Sequence, residues 1–204
     1  YLNLEGLFSH IADPKNIDFS KLQKEKFDFA IEEHKSMPIL KHLANSYSGI
    51  NYPDFRYDLV RVGIGLYGQE FENLESLLSV KGRITEIHKV SKGDSVSYDR
   101  TWTAEKESLI ATIPIGYADG VDRKLSNKIF AIYNETEIKQ VGNITMDQMM
   151  FDISDIKDLK VNDVITLIDS KKLTISNWAK ILNTITWELI CRLKLRLPRV
   201  YTRD

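Results

Sequence analysis

Tyr57-Asp58-Leu59-Val60-Arg61-Val62-Gly63-Ile64-Gly65-Leu66-Tyr67-Gly68 sets an apolar, strand-like run directly against a glycine-bearing loop. A strand that empties into such a loop is the signature of a β/α unit. Outward from it, the first third of the chain repeats the pattern. Leu2 to Ser9 alternates as a strand and ends at His10. Asp18 can cap a helix running to about His34, with Phe19, Leu22, Phe27, Phe29 and Ile31 as its apolar members. Pro38 to Leu43 reads as a second strand, leading into Ala44-Asn45-Ser46, and Tyr57 to Val62 as a third. Strand, helix and strand in this order imply parallel β/α units. Three strands cannot close a barrel, and the chain opens inside a strand without an initiator methionine, so a fragment of a longer barrel is expected.

From about residue 77 the texture changes to short β-rich runs separated by turns. These are Val80–Val90, Asp94–Thr103, Ser108–Pro114, Lys128–Tyr133, Glu137–Val141, Met149–Ile153, Val164–Asp169 and Leu195–Tyr201, with a short helix capped by Ser176. The expected division is residues 1–76 for the β/α part and 77–204 for the β-rich part. The fold class is therefore α/β plus mainly β. The 204 residues are 43% hydrophobic and 28% charged with a net charge of −1, a soluble globular balance without a global pull toward nucleic acid or an anionic membrane. No apolar run is long enough to span a bilayer. Cys191 stands alone, which excludes an intramolecular disulfide and fits a reducing compartment; its apolar neighbours Leu189 and Ile190 predict a buried thiol.

Several segments can carry chemistry. The N–H groups of Gly63, Ile64 and Gly65 can cradle a phosphate or simply form a tight turn. Asn45 and Ser46 can offer polar donors to an anion or cap a helix. Further on come Ser95-Val96-Ser97-Tyr98, then Ile113-Pro114-Ile115-Gly116-Tyr117-Ala118-Asp119-Gly120, then Val141-Gly142-Asn143-Ile144-Thr145-Met146-Asp147-Gln148. Each alone reads as strand packing or a turn. In this order, together with Leu4-Glu5-Gly6-Leu7-Phe8-Ser9-His10 and Arg196-Leu197-Pro198-Arg199, they closely resemble alanine racemase, a bacterial enzyme family that uses pyridoxal phosphate.

The resemblance implies the last part of a pyridoxal-phosphate-binding (β/α)8 barrel followed by a β-rich domain. It also implies a cytoplasmic homodimer whose active sites are shared between subunits, and conversion of L- to D-alanine for peptidoglycan. It assigns the cofactor phosphate to Ser46, Gly63 and Ile64 with Asn45 beside them, and the pyridine nitrogen to Arg61. His10 is implied to lie near Arg61 and the catalytic Tyr98. A free phenol titrates near about 10, so a tyrosine acting near neutrality needs cationic or donor neighbours. Tyr117 is implied to line the substrate entrance, the Met146 N–H to meet the substrate carboxylate, and Asp147 to support that loop. No metal is implied. The family's second base, the lysine that holds the cofactor, has no counterpart here: Lys41 lacks the motif around it. The chain alone is thus expected to be inactive, or only a packing and dimerisation module. Leu195 stands where some members have a tyrosine, and Asn143 where some have an arginine at the entrance, whereas Arg123 matches another. These departures keep serine or another small amino acid open as substrate. Decarboxylation on a related architecture is opposed by Ser97-Tyr98 and by the lack of a suitably placed cysteine.

Overall fold

In a computed structural model describing residues 2–202, the chain forms two compact units that meet in sequence at Glu75 and Ser76. In the first, β1 (Gly6–Phe8) and β2 (Leu40–His42) are parallel, with Gly6 opposite Leu40 and Phe8 opposite His42. Parallel neighbours need a long crossover, and α1 (Ile17–Glu32) provides it. The helix starts one residue earlier than its expected cap, because Asn16, in extended backbone after a turn, accepts from the Phe19 N–H at 3.1 Å. Asp18 instead sits in the first turn, where a carboxylate complements the helix dipole. Phe27 packs into a small core with Ile11, Leu43, Ala44 and Phe55. Phe29, two residues on, is rotated some 200° around the helix and faces water. Asn45 caps α2 (Ser46–Asn51) reciprocally with Ser48, so the polar step after β2 forms a helix start.

The expected strand over Tyr57–Val62 is irregular. Tyr57 has φ 48°, which breaks extended geometry, and the backbone bonds from the segment, Asp58 N–H to Lys41 O and Arg61 N–H to Ala44 O, each 3.0 Å, do not make a continuous ladder.

Among the described residues the second unit is built on nine strands: β3 (Val80–Arg83), β4 (Glu86–Val90), β5 (Ser95–Val96), β6 (Trp102–Thr103), β7 (Ser108–Ile113), β8 (Phe130–Tyr133), β9 (Thr136–Val141), β10 (Met149–Asp152) and β11 (Val164–Ile168). Seven of them form one antiparallel sheet in the order β3-β11-β8-β9-β10-β7-β4, while β5 and β6 make a separate hairpin. The two edges belong to one continuous segment. β3 pairs with β11, the chain passes through Ile84 and Thr85, and β4 pairs with β7. Ile84 bonds backbone to backbone with Asn162 and Asp163, and Thr85 with Thr112, so the sheet curls back on itself. Inside lie Ile84, Ile113, Leu125, Phe151, Ile165 and Leu167, all buried. Each such side chain contributes roughly 1.5–3 kcal/mol relative to exposure.

α3 (Ile175–Leu182) buries Trp178 and Ala179 against this core. α4 (Thr186–Arg192) was not expected from the sequence; it buries Leu189 and, two residues later on its opposite side, leaves Cys191 exposed, against the expectation of a buried thiol. Leu195–Tyr201, expected as a strand, is irregular: Pro198 has no N–H for a ladder, and Leu197 N–H turns back to Lys194 O at 3.2 Å. Among the described residues no helix is long and apolar enough to cross a membrane.

Candidate active site

In the first unit, polar groups gather where the parallel strands end. Arg61 is the hub. Its NH2 group donates to Ser9 O at 2.7 Å, to Leu43 O at 3.2 Å and to His10 Nδ1 at 3.1 Å. Its NH1 group donates to His42 O at 3.2 Å and to His42 Nδ1 at 2.6 Å. A guanidinium has only donors, so both imidazoles must accept through Nδ1 and carry their proton on Nε2. Phe8 stacks on His42 with ring centroids 5.3 Å apart, and the Arg61 guanidinium lies 5.4 Å from the Phe8 ring centre. Five polar contacts and an aromatic face hold the arginine in one place, as a group aimed at a fixed acceptor requires.

Beside it, Ser46 Oγ accepts from Gly63 N–H at 2.9 Å and Gly65 N–H at 3.2 Å. The hydroxyl proton is therefore directed away from those amides and is free to donate. A Cβ built on Gly63 would meet nothing within 4 Å, so the loop faces open space. Ile64 anchors the loop from below with a buried side chain. The Ser46 hydroxyl and the Ile64 N–H suit a phosphate, and the fixed guanidinium, which can only donate, suits a ring nitrogen that accepts a hydrogen bond. Pyridoxal phosphate fits that donor set. Asn45 stands next to it with its side-chain oxygen engaged in the α2 cap.

In the second unit, the β5–β6 hairpin carries Tyr98 on the loop between its strands. The hairpin rests on Val90, Val96, Ala104, Ile110, Val141 and Met150, with Trp102 packed alongside. The loop backbone is strained: Ser97, Asp99 and Arg100 have φ of 69°, 61° and 50°. Such conformations cost about 1–3 kcal/mol each and persist only where the surroundings dictate them. Gly142 makes the approach possible. It has φ 74°, and a Cβ there would lie 2.7 Å from Val96 O and 2.9 Å from Ser97 Cβ.

Tyr98, 73% exposed, shares a cavity of about 630 Å³ with Tyr117, Arg123, Met146 and Asp147. The structure thus brings together all four site residues expected in this unit. The Met146 loop is locked to the Tyr117 turn. Tyr117 N–H donates to Thr145 O and Ala118 N–H to Met146 O, each 3.0 Å. Gly116 lies so close that a Cβ would fall 2.2 Å from Thr145 O. Arg196 clamps the arrangement: it donates to Asp147 Oδ1 at 2.6 Å and pairs with the buried Asp119 at 3.4 Å. Asp119 in turn accepts from Gly116 N–H at 2.9 Å. The Asp147 hydrogen bond, with the charges of Asp119 and Asp147, raises the arginine's affinity for its proton further.

Sequence reasoning missed His42. A single histidine inside a strand carries no local signal. Its position at the end of a parallel strand, next in space to the end that precedes His10, is the feature that singles it out, because β/α sites collect there.

A family model described as the alanine racemase N-terminal domain matches residues 1–70, and one described as the alanine racemase C-terminal domain matches residues 77–201. The alanine racemase of Synechocystis sp. is 40% identical over 98% of this chain and 58% of its own length; that of Nostoc sp. is 38% identical over 98% and 56%. Among solved structures, alanine racemase of Clostridium difficile 630 superposes with a TM-score of 0.91 at 33% identity, covering 99% of this chain and 56% of its own. The alanine racemase of Bacillus anthracis with bound L-Ala-P gives a TM-score of 0.88 at 28% identity, with 99% and 56% covered. The chain therefore spans little more than half the length of the relatives it matches. Matched by both domain models over nearly all its length, the chain belongs to the alanine racemase family.

Proposed function

We propose that this chain supplies the cofactor-phosphate and ring-nitrogen contacts, and one of two acid/base groups, of a pyridoxal-phosphate-dependent racemase that interconverts L- and D-alanine. D-alanine so made serves peptidoglycan. The observation that carries this reading is the Arg61 cluster, whose fixed donors suit an unprotonated pyridine nitrogen. When bound, pyridoxal phosphate supplies an electron sink for negative charge at the amino acid's α-carbon. Ser46 and the Gly63–Ile64 backbone hold its phosphate, with Asn45 capping the adjoining helix and His10 and His42 orienting Arg61. An arginine that can only donate leaves the ring a weaker sink, which favours proton return at the α-carbon over other outcomes.

Tyr98 takes or returns the α-proton on one face of the substrate. The Met146 N–H receives the substrate carboxylate, Asp147 steadies that loop through Arg196, and Tyr117 lines the approach. The opposite face needs a second base, a lysine that we assign to barrel sequence which the longer relatives have and these 204 residues do not include. The β/α part, expected over residues 1–76, and the β-rich part, expected over 77–204, then serve different active sites of a homodimer. Serine is a second reading, favoured by Leu195, 94% exposed, where some members carry a tyrosine.

The decisive experiment assays the holoenzyme and the 204-residue chain side by side on alanine and serine. Tyr98→Phe in the holoenzyme is expected to lower racemisation by about 10²-fold or more with the cofactor still bound; near-normal turnover removes Tyr98 from the mechanism. The chain alone is expected to show no turnover and no lysine-bound cofactor, and a Lys–pyridoxal adduct in it sinks the assignment of the lysine elsewhere.

A further inference from the structure

The chain on both sides of the Tyr98 side chain is tied to one residue. On the leading side, Ser97 Oγ donates to Asn143 O at 2.7 Å. On the trailing side, Asn143 Nδ2 donates to Tyr98 O and to Asp99 Oδ2, each at 2.9 Å. Asn143 Oδ1 accepts from Thr101 Oγ1 at 3.3 Å. A primary amide has two N–H donors, and both are spent on this loop. The side chain is 7% exposed. It reaches into the hairpin and does not line the cavity that Tyr98 faces.

Asn143 is itself pinned. Gly142 N–H donates to Asn127 Oδ1 at 2.7 Å and Ile144 N–H to Ser126 Oγ at 2.9 Å, so the backbone on both sides of Asn143 is fixed. Behind them, the fully buried Gln140 donates to Val141 O and Gly142 O and accepts from Asn127 N–H at 2.6 Å. Arg123 shares the Asp99 carboxylate at 2.8 Å, but from an exposed position where solvent competes. Ser97, Asp99 and Arg100 all have positive φ; Asn143 bonds the first two, and Arg100 Nε donates to Ser95 Oγ at 3.0 Å at the base of the hairpin.

We propose that Asn143 is the positioning residue for Tyr98, acting from beneath the loop by fixing the Ser97 and Asp99 flanks so that the phenol is presented at one place. The inference rests on Tyr98 being an acid/base group, the reading given above. It adds a role for a residue whose side chain faces away from the cavity.

The test uses the pyridoxal-phosphate-loaded holoenzyme with three variants: Asn143→Ala, Tyr98→Phe and the double variant. Asn143→Ala is expected to lower kcat for alanine by about 10²-fold, the scale of a misplacement near 1 Å, while KM and the cofactor absorbance stay close to their starting values. In the Tyr98→Phe background, the same change is expected to cost almost nothing more, because the group it positions is already gone. Asn143→Asp keeps the volume and the acceptor oxygen but loses both donors and sets a carboxylate against Asp99; it decides the matter in the same way if Asn143→Ala loses its cofactor or its fold. A kcat within about twofold of the parent in the folded variant overturns the proposal, as does a full multiplicative loss in the double variant. Normal racemisation by Tyr98→Phe removes the Tyr98 reading and this inference with it, whereas a crippled Tyr98→Phe beside an active Asn143→Ala removes this inference alone.

Discussion

Arg61 and His42 meet at 2.6 Å, guanidinium NH1 to imidazole Nδ1, on adjoining segments at the end of the parallel strand pair. Replacing His42 with Phe keeps a ring against Phe8 but removes the acceptor. A hydrogen bond to a charged group is worth about 1.5–3 kcal/mol, so turnover in the holoenzyme is expected to fall roughly 10–100-fold. Steady-state racemisation at saturating cofactor measures it, and unchanged turnover makes the contact incidental.

Ser46→Ala removes the oxygen that gathers Gly63 and Gly65 N–H and the hydroxyl proposed to meet the phosphate. Cofactor affinity is expected to weaken roughly tenfold or more, read as the dissociation constant from absorbance titration. An unaltered constant would place the phosphate elsewhere.

Gly116→Ala pushes a methyl into the carbonyls of Thr145 and Met146, at 2.2 and 2.4 Å. The backbone has to move, because neither contact is a flexible side-chain tip. Stability is expected to drop by about 1–3 kcal/mol, the usual range for overpacking, and KM for alanine to rise as the Met146 loop shifts. Thermal melts and kinetics of the holoenzyme test both halves.

Asp28 ties α1 to the segment after α2. It accepts from Tyr57 OH and from Lys24 Nζ, the latter at 2.7 Å, while Lys24 also lies over the Tyr57 ring. Burial raises the carboxyl's pKa, yet the bonds from Lys24 and Tyr57 outweigh it and the net shift is downward. A depressed folded-state pKa means stabilisation that is complete above the unfolded value near 3.8 and is lost as pH falls through the folded value. Asp28→Asn is therefore expected to lower the melting temperature at neutral pH and to make the acid side of the stability profile shallower below about pH 4. Tyr57 is shifted upward, first by burial and then by Asp28, so its own contribution is present below its unfolded value and falls away in alkali.

Much of this layout was legible from alternation and turn chemistry. Ser108–Ile113, Phe130–Tyr133 and Met149–Asp152 alternate or run apolar between clear breakers, and all three are strands. The glycine loop after Arg61, the Ser97-Tyr98 and Gly116-Tyr117 segments and the Met146-Asp147 turn were visible as motifs, and Tyr98, Tyr117, Met146 and Asp147 line one cavity. What stayed hidden was set by tertiary context. Thr186–Arg192 is too short for a helical period to stand out beside its apolar neighbours. Tyr57 takes a left-handed φ that a tyrosine rarely adopts, so propensity wrongly predicts an extended run. Asn143 looked like a replaced entrance residue, and only the folded hairpin reveals that its amide faces the Tyr98 backbone.

The curled sheet of the second unit has a kinetic corollary. Because β3 and β4 are successive parts of one segment, the sheet cannot be finished by adding hairpins one at a time. Closure waits until Arg83 finds Val164, roughly eighty residues further along the chain. Contacts so distant carry a high loop entropy, so this unit should fold slowly for its size, with β11 the last strand to seal it. Until then, β3 and β8 would each present an unpaired edge, the state in which such chains are open to mispairing with one another.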